Sequence, residues 1–365
     1  MSNTAKILED FDKWGGHLRE FEERTRALLL DMIQASGMSI HSVQARTKTR
    51  ESLRKKCERP DKNYQDFLSV TDVVAFRIIT YFDDDVDKVA KRLGETFTVD
   101  PARSTDKRKR KPTDFGYSAL HSICRYSDNR ESLLENRNYR GLWWEVQICS
   151  ILQHAWNEIE HDIGYKSQSK VPTDIERRLH RLAGVLELVD AEFKEIRDKT
   201  ENYRMAVDLR LEGEDADISD VGIDSISLLS FIKQDPIVRR AQQYMAEYFK
   251  LPIDEEFPDD KFGAVLNGLQ VLQIRTLQEL RQALLANMDK IPIFLDRAIE
   301  RFVADKVSVN FVAVKKSTVL TNLVVYLIGK RGTQALAHFY QETGAYGQSG
   351  PAFAKVQAEA ARGVS

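Results

Sequence analysis

From Lys6 to Ile33, the apolar residues Leu8, Phe11, Leu18, Phe21 and Leu28 recur near helical spacing among charged neighbours, which predicts an amphipathic helix. A second helix is predicted over Glu51–Arg59. The period then changes. Val70 to Phe82 (VTDVVAFRIITYF) is dense in β-branched and aromatic residues and runs into three aspartates, as a buried strand leading into a helix over residues 84–96 would. SALHSICRY and GLWWEVQICS predict two more strands, separated by a polar turn through residues 128–141. A helix follows from about Ile151 to His161, and another opens after Pro172, where Thr173 and Glu176 have capping-box spacing. Along it Ile175, Leu179, Leu182, Leu186, Val189, Phe193 and Ile196 alternate steps of four and three. That stripe needs a partner, and the chain's own sheet is preferred here to a second copy of the chain.

The acidic segment 212–220 (EGEDADISD) interrupts the periodicity, so a domain boundary is placed there. The resulting division is an N-terminal helix over 1–40, a central domain with a long closing helix over 41–211, and a mainly helical region over 212–365. In the last region Thr276 and Glu279 form a capping box ahead of Leu277, Leu280, Leu284 and Met288, and VSVNFVAV at 307–314 suggests a strand.

Composition narrows the function classes. With 365 residues, 42% hydrophobic and 30% charged, the chain is long enough for two or three folded units and too apolar for wholesale disorder. The start has no basic segment leading into an apolar one, and no run approaches the ~18 apolar residues of a spanning helix, so a cytoplasmic protein without a membrane partner is expected. Three scattered cysteines without a CxxC pair predict reduced structural thiols. Lys and Arg (54) nearly balance Asp and Glu (56), so phosphate or nucleic-acid binding must come from local clusters. One is RSTDKRKRK at 103–111, predicted to be a mobile basic loop.

Another cluster is Arg46, Lys48, Arg50, Arg54, Lys55 and Lys56, enough positive charge to neutralise a triphosphate, although a solvated helix face carries such runs too. Asp72 stands at the start of an apolar strand, where an unpaired buried carboxylate would cost several kcal/mol, and Glu145 sits in the equally apolar WWEVQIC. Two carboxylates facing one cleft can share a hard cation such as Mg²⁺ with substrate phosphates; salt bridges to nearby arginines are the alternative. Arg77 lies on the opposite face of an ideal strand from Asp72, so it reaches the same ligand only if the strand bends or ends there. His154, Glu158 and His161 share a helical face, but HExxH is missing and pairing with neighbouring charges is preferred to a metal site; Trp156 is expected in the core.

Taken in order, R-x-K at Arg46–Lys48, ESLxxK ending at Lys56, D-x-x-x-x-R from Asp72 to Arg77, GYxxLH ending at His121, EVQI from Glu145, and HAWNEIEHDIGYK form a recognisable series. From about residue 40 to 170 the chain resembles the RelA/SpoT-type synthetase domain of the alarmone (p)ppGpp synthetases. The resemblance implies an α+β fold, a nucleotidyltransferase-like mixed β-sheet flanked by helices, ahead of the mainly helical C-terminal region. It implies transfer of pyrophosphate from ATP to the 3′-hydroxyl of GDP or GTP, with AMP released. On that basis Arg46 and Arg77 would stack on adenine and Lys48 and Lys56 would grip the ATP phosphates. Asp72 would ligate Mg²⁺, while Glu145 would help hold the metal and act as general base, with Gln147 positioning it. Tyr117 would stack on guanine, and His121, with Lys109 or Lys111, would contact acceptor phosphates.

The family's usual GYRSLH is GYSALH here, so the basic residue after Tyr117 is absent. With the long basic loop, this keeps open a toxin-type relative that pyrophosphorylates the tRNA 3′ end or makes adenosine-based alarmones, and, less favoured, a nonenzymatic RNA- or protein-binding relative. No separate hydrolase domain of the HD type is found, so alarmone hydrolysis is not expected. The number of subunits, including a homo-oligomer, is left open.

Overall fold

The computed structural model describes residues 3–108, 119–166, 172–212, 217–255, 262–304, 313–346 and 349–364. It divides into two compact units, Met1–Arg197 and Asp198–Ser365. The division falls within a helix, whereas the sequence reading had set it at the acidic segment that follows.

The first unit opens with α1 (Asn3–Ala35), kinked at Gly15, then β1 (Ile40–Thr47), α2 (Arg50–Cys57), β2 (Val74–Thr80), α3 (Asp83–Thr96) and β3 (Thr98–Asp106). It continues with β4 (Leu120–Arg125), a single turn α4 (Asp128–Glu131), β5 (Trp144–Ser150), α5 (Ile151–Lys166) and α6 (Thr173–Arg210), whose last residues belong to the second unit. The five strands form one mixed sheet in the order β1-β2-β5-β4-β3, with only β2 and β5 parallel.

Alternation along the strands separates two faces. Val43, Val74, Phe76, Ile78, Trp144, Val146 and Ile148 point to one side and bury against α1 and α3. Phe21 of α1 is the hub of that core, with ring centroids 5.1 Å from both Tyr139 and Trp144 and 5.5 Å from Tyr126. The intervening residues, Gln44, Arg46, Arg77, Glu145 and Gln147, occupy the other face. Asp83, Asp84 and Asp85 sit in the first turn of α3, where the helix dipole favours negative charge.

Several expectations change. β1 was not anticipated, because its polar alternation (IHSVQART) has too few apolar residues to stand out. Residues 103–106 belong to β3 instead of a mobile loop: Arg103 pairs with Asp100 at 2.6 Å and lies over the Trp143 ring at 4.2 Å. Arg108 pairs with Asp87 at 2.6 Å and with Asp106 at 3.0 Å. The supposed polar turn at 128–141 contains α4 and a 3₁₀ turn, Leu134–Tyr139, which buries Tyr139 in the core. Residues 109–111 of the basic segment lie outside the described residues.

The apolar stripe of α6 does not pack on the sheet. Leu179 and Leu186 meet Trp156 and Leu152 of α5, while Leu182, Phe193 and Ile196 stay 56%, 50% and 57% exposed. α6 starts at Thr173, and the Pro172 carbonyl, not the threonine hydroxyl, accepts from its first free N–H groups. The three cysteines are free.

The second unit holds α7 (Ser225–Gln234), α8 (Pro236–Phe249), β6 (Ile253–Asp254), α9 (Phe262–Leu272), α10 (Leu277–Asn287), α11 (Lys290–Ala304), β7 (Val314–Lys315), α12 (Lys316–Arg331), α13 (Thr333–Thr343) and α14 (Gly350–Arg362). Its core centres on α12, buried along most of its length. The capping box of Thr276 and Glu279 is present. Asp235 caps α8 and forms a buried pair with Arg281 at 2.6 Å. A side chain at Gly268 would collide with Val324, so glycine there sets how closely α9 approaches α12. β6 and β7 pair in parallel as a two-stranded ribbon; of the strand expected at 307–314, residues 307–312 lie outside the described residues and Ala313 is not in a strand. No helix among the described residues is long and apolar enough to cross a membrane.

Because Phe21 is fully buried among four rings, Phe21→Ala should destabilise the first unit by about 3–5 kcal/mol. Urea unfolding followed by tryptophan fluorescence measures this, and a loss below about 1 kcal/mol would contradict the packing described.

Candidate functional site

Register explains how distant segments meet. Ala75 pairs with Glu145 and Arg77 with Gln147 across the parallel β2–β5 ladder, while Gln44 faces Arg77, Arg46 faces Ala75, and His121 faces Gln147. Two rows of side chains therefore cross the sheet face opposite the α1 core. One is Gln44, Arg77, Gln147 and His121; the other contains Arg46 and Glu145.

Lys48 follows β1 directly and its N–H donates to the Val73 carbonyl at 2.8 Å. The next residue, Thr49, caps α2 by accepting from the Ser52 N–H, and Leu53, fully buried, fixes that helix against the core. Lys56 is thereby brought back beside Lys48. Both ammonium groups reach the same carboxylate oxygen, Asp72 Oδ2, at 2.8 Å from Lys48 and 2.5 Å from Lys56. Asp72 lies in the turn preceding β2 and not within the strand, so the condition set for Arg77, that the strand bend or end there, is met. The other oxygen, Asp72 Oδ1, is buried without a hydrogen-bond partner.

Only half of the basic run converges here. Arg50 pairs with Asp12, Arg54 with Glu51 and Glu58, and Lys55 with Glu51, so those three form the solvated face that had been weighed as the alternative.

Glu145 is held from both sides. His121 Nδ1 donates to its Oε1 at 2.7 Å and Gln147 Nε2 to its Oε2 at 2.9 Å. Burial pushes its carboxyl up, but the hydrogen bond and charge of His121, with help from Gln147, outweigh this and hold it below its ordinary value. The negative charge of Asp72 acts on it in the raising direction, so the two carboxylates lie within electrostatic reach of each other. Asp72 behaves alike: burial raises its carboxyl, and Lys48 and Lys56 bring it below its ordinary value.

Next to these groups is a cavity of about 240 Å³ lined by Gln44, Arg46, Arg77, Gln147 and Glu158, among others, larger than the ~150 Å³ cavity that accepts benzene. Arg77 is fixed at its edge. Its Nη1 donates to Glu158 at 2.6 Å and lies 3.2 Å from His154 Nδ1, and its Nε donates to Gln147 at 3.2 Å. The bond from Arg77 lowers the Glu158 carboxyl, while burial, followed by the Arg77 charge, lowers His154. Two of the three α5 residues weighed as metal ligands, His154 and Glu158, thus serve to orient an arginine, and Trp156 is in the core as expected. Gln44 and Glu158 were not anticipated as site residues. For Glu158 the signal was present, since a carboxylate one helical turn after His154 was already expected to pair with a charge.

Among the described residues no cluster of three or more His, Cys, Asp or Glu side chains forms a metal site. The donor set still fits a Mg²⁺ ion: this cation needs one or two carboxylates and takes its other ligands from water and phosphate, and Asp72 Oδ1 is a buried anionic oxygen with no partner. Lys109, Lys111 and Tyr117, expected to contact the acceptor, lie outside the described residues.

Residues 45–170 match the family model described as the region found in RelA / SpoT proteins. Over this stretch, about a third of its length, the chain is similar to that region. Arg46, Lys48, Lys56, Asp72, Arg77, His121, Glu145 and Gln147 all fall inside it. The RelA/SpoT region is also similar to the GTP pyrophosphokinase YjbM of Bacillus subtilis (strain 168), 25% identical over 176 residues, which cover 48% of this chain and 80% of the relative. Among solved structures, small alarmone synthetase 1 from Bacillus subtilis aligns over 52% of this chain and 99% of its own at 25% identity, with a TM-score of 0.44. A GTP pyrophosphokinase family protein from Streptococcus pneumoniae aligns over 53% and 94% at 24% identity, with a TM-score of 0.42.

The lowered Glu145 carboxyl gives a signed pH dependence. Its stabilising contribution is complete above the ordinary carboxyl range and is lost as pH falls through the lowered folded value. The difference in Tm between the protein and its Glu145→Gln variant should therefore narrow from about pH 5 to about pH 3. Calorimetry at several pH values checks this; a difference that widens on acidification would contradict the assigned pairing.

Proposed function

We propose that the RelA/SpoT region transfers the β,γ-pyrophosphate of ATP to the 3′-hydroxyl of GDP or GTP, giving (p)ppGpp and AMP. The observation that carries this is the juxtaposition of Asp72, with one unpartnered oxygen and two lysines on the other, and Glu145, clamped by His121 and Gln147. The naming of a relative as a GTP pyrophosphokinase supports the same reading.

In this reading ATP enters with its adenine in the cavity between Arg46 and Arg77, whose planar guanidinium groups stack on the base. Arg77 needs no reordering for this, since Glu158 and Gln147 already hold it. Lys48 and Lys56 pass from Asp72 to the phosphates, exchanging one anion for another. Bound by Asp72 and Glu145, Mg²⁺ would neutralise charge on the phosphates. The acceptor 3′-oxygen bonds to the β-phosphorus, the bond from that phosphorus to the α–β bridging oxygen breaks, AMP departs with that oxygen, and the hydroxyl proton passes by way of Glu145 to solvent. Glu145 accepts the hydrogen bond of the attacking hydroxyl. Because its carboxyl is held low, it is a weak base at neutral pH, and orientation is its larger contribution. Positioning and charge neutralisation are what such transfers chiefly require.

The tRNA-acceptor reading loses two of the six charges it rested on, since Arg103 and Arg108 are already committed to Asp100, Asp106 and Asp87. The test is product analysis after incubating the purified chain and Mg²⁺ with labelled ATP plus GDP, GTP, AMP or deacylated tRNA. Transfer to GDP or GTP is expected, reduced by about 10²–10³-fold or more in Asp72→Asn and Glu145→Gln. Transfer to tRNA or AMP alone would replace this reading with the toxin-type one, and unchanged rates in both variants would overturn the site.

A further inference from the structure

The second unit contains a cavity of about 290 Å³ between α9, α12 and α13, roughly twice the ~150 Å³ apolar cavity that holds a single benzene ring. We infer that this cavity is a binding site for a flat, two-ring aromatic small molecule carrying one N–H or O–H group. The inference is separate from the pyrophosphate-transfer reading and uses none of its residues.

No Asp, Glu, Lys, Arg or His is among the lining residues, which rules out a nucleotide or other strongly charged ligand, since nothing there would replace the water around its charge. One wall is aromatic. Phe339, Tyr340 and Tyr346 line it, with Tyr340 and Tyr346 edge-to-face at 4.9 Å and Tyr346 backed by a stacked Phe353 ring at 4.4 Å. Such a wall offers ring faces and edges at the separations aromatic pairs prefer. Tyr346 has a φ of 61°, a left-handed backbone that is uncommon for a bulky side chain and that persists only where its surroundings impose it. The ring is thereby presented to the cavity at a cost to the backbone.

The polar groups separate cleanly into used and unused. The Thr343 hydroxyl donates to the Phe339 carbonyl at 2.8 Å, and the Tyr340 hydroxyl donates to Gln357. Thr321 differs: its Oγ1 is buried and has no hydrogen-bond partner. An unsatisfied hydroxyl in the wall of a largely apolar cavity is destabilising unless a ligand completes it, and among the described side chains that line the cavity Thr321 is the one whose polar atom is buried and unused. A ligand with an aromatic body and a single donor matches both features.

Indole and naphthalene, two-ring probes that differ in the N–H, test this with the full-length chain by ligand-observed NMR titration. Saturable indole binding is expected at sub-millimolar Kd, with naphthalene several-fold weaker. Thr321→Val keeps the shape and removes the hydroxyl, so it should weaken indole about three- to tenfold, leave naphthalene unchanged, and not lower the Tm. Ala264→Phe fills the cavity and should abolish binding of both; Ala345→Phe is the second filling variant, each checked for folding by circular dichroism. Absence of saturable indole binding, equal loss of both probes in Thr321→Val, or undiminished binding in a folded filling variant would each overturn the proposal. Thr321→Val decides the matter if neither filling variant folds.

Discussion

A single carboxylate organises the first unit's site. Asp72 gives one oxygen to two lysines and keeps the other buried and unpartnered. Two cations on one oxygen over-satisfy that side of the group, and the opposite side is left with the desolvation cost of a bare anionic atom. Such an imbalance is poor for stability and useful for binding. In the proposed reading a divalent cation would satisfy the bare oxygen and phosphate oxygens would compete for the lysines, so each weakness of the site would become a preference for its ligands. The lysines also hold the carboxyl below its ordinary value, keeping it charged at neutral pH.

The second acid reaches that place through strand register. Parallel pairing of β2 with β5 sets Glu145 beside Ala75, a residue too small to obstruct it, and sets Gln147 beside Arg77. Gln147 then donates to Glu145 while accepting from Arg77, so one side chain links the two halves of the site. A one-residue slip in this ladder would send Glu145 and Gln147 into the core beside Phe21 and bring Val146 to the cavity. The packing of Phe21, Trp144 and Tyr139 is therefore also what holds the site in register.

The sequence made β2, β4, β5 and helices α1, α2, α3, α5 and α6 legible because their apolar periods are strong, and it singled out Asp72 and Glu145 because each is a carboxylate in an otherwise apolar run. It was silent on β1, whose alternation is mostly polar, because one of its faces lines the site. The basic cluster before α2 was visible only as a run of charge; that Lys48 and Lys56 turn inward while Arg50, Arg54 and Lys55 face Asp12, Glu51 and Glu58 depends on the rotation of α2 fixed by Leu53. For Arg77 the sequence left a condition, that the strand bend or end near Asp72, and β2 meets it by starting only at Val74. In the second unit the capping box of Thr276 and Glu279 could be read, but the cavity could not, since it depends on how α9, α12 and α13 pack.

The proposed chemistry requires that Asp72 and Glu145 together hold one divalent ion. Anomalous diffraction from crystals grown with Mn²⁺ and a non-hydrolysable ATP analogue measures this directly. A peak is expected at coordinating distance from carboxylate oxygens of both residues, with Lys48 and Lys56 turned to the phosphates; a bound analogue whose metal touches neither carboxylate would overturn the assignment.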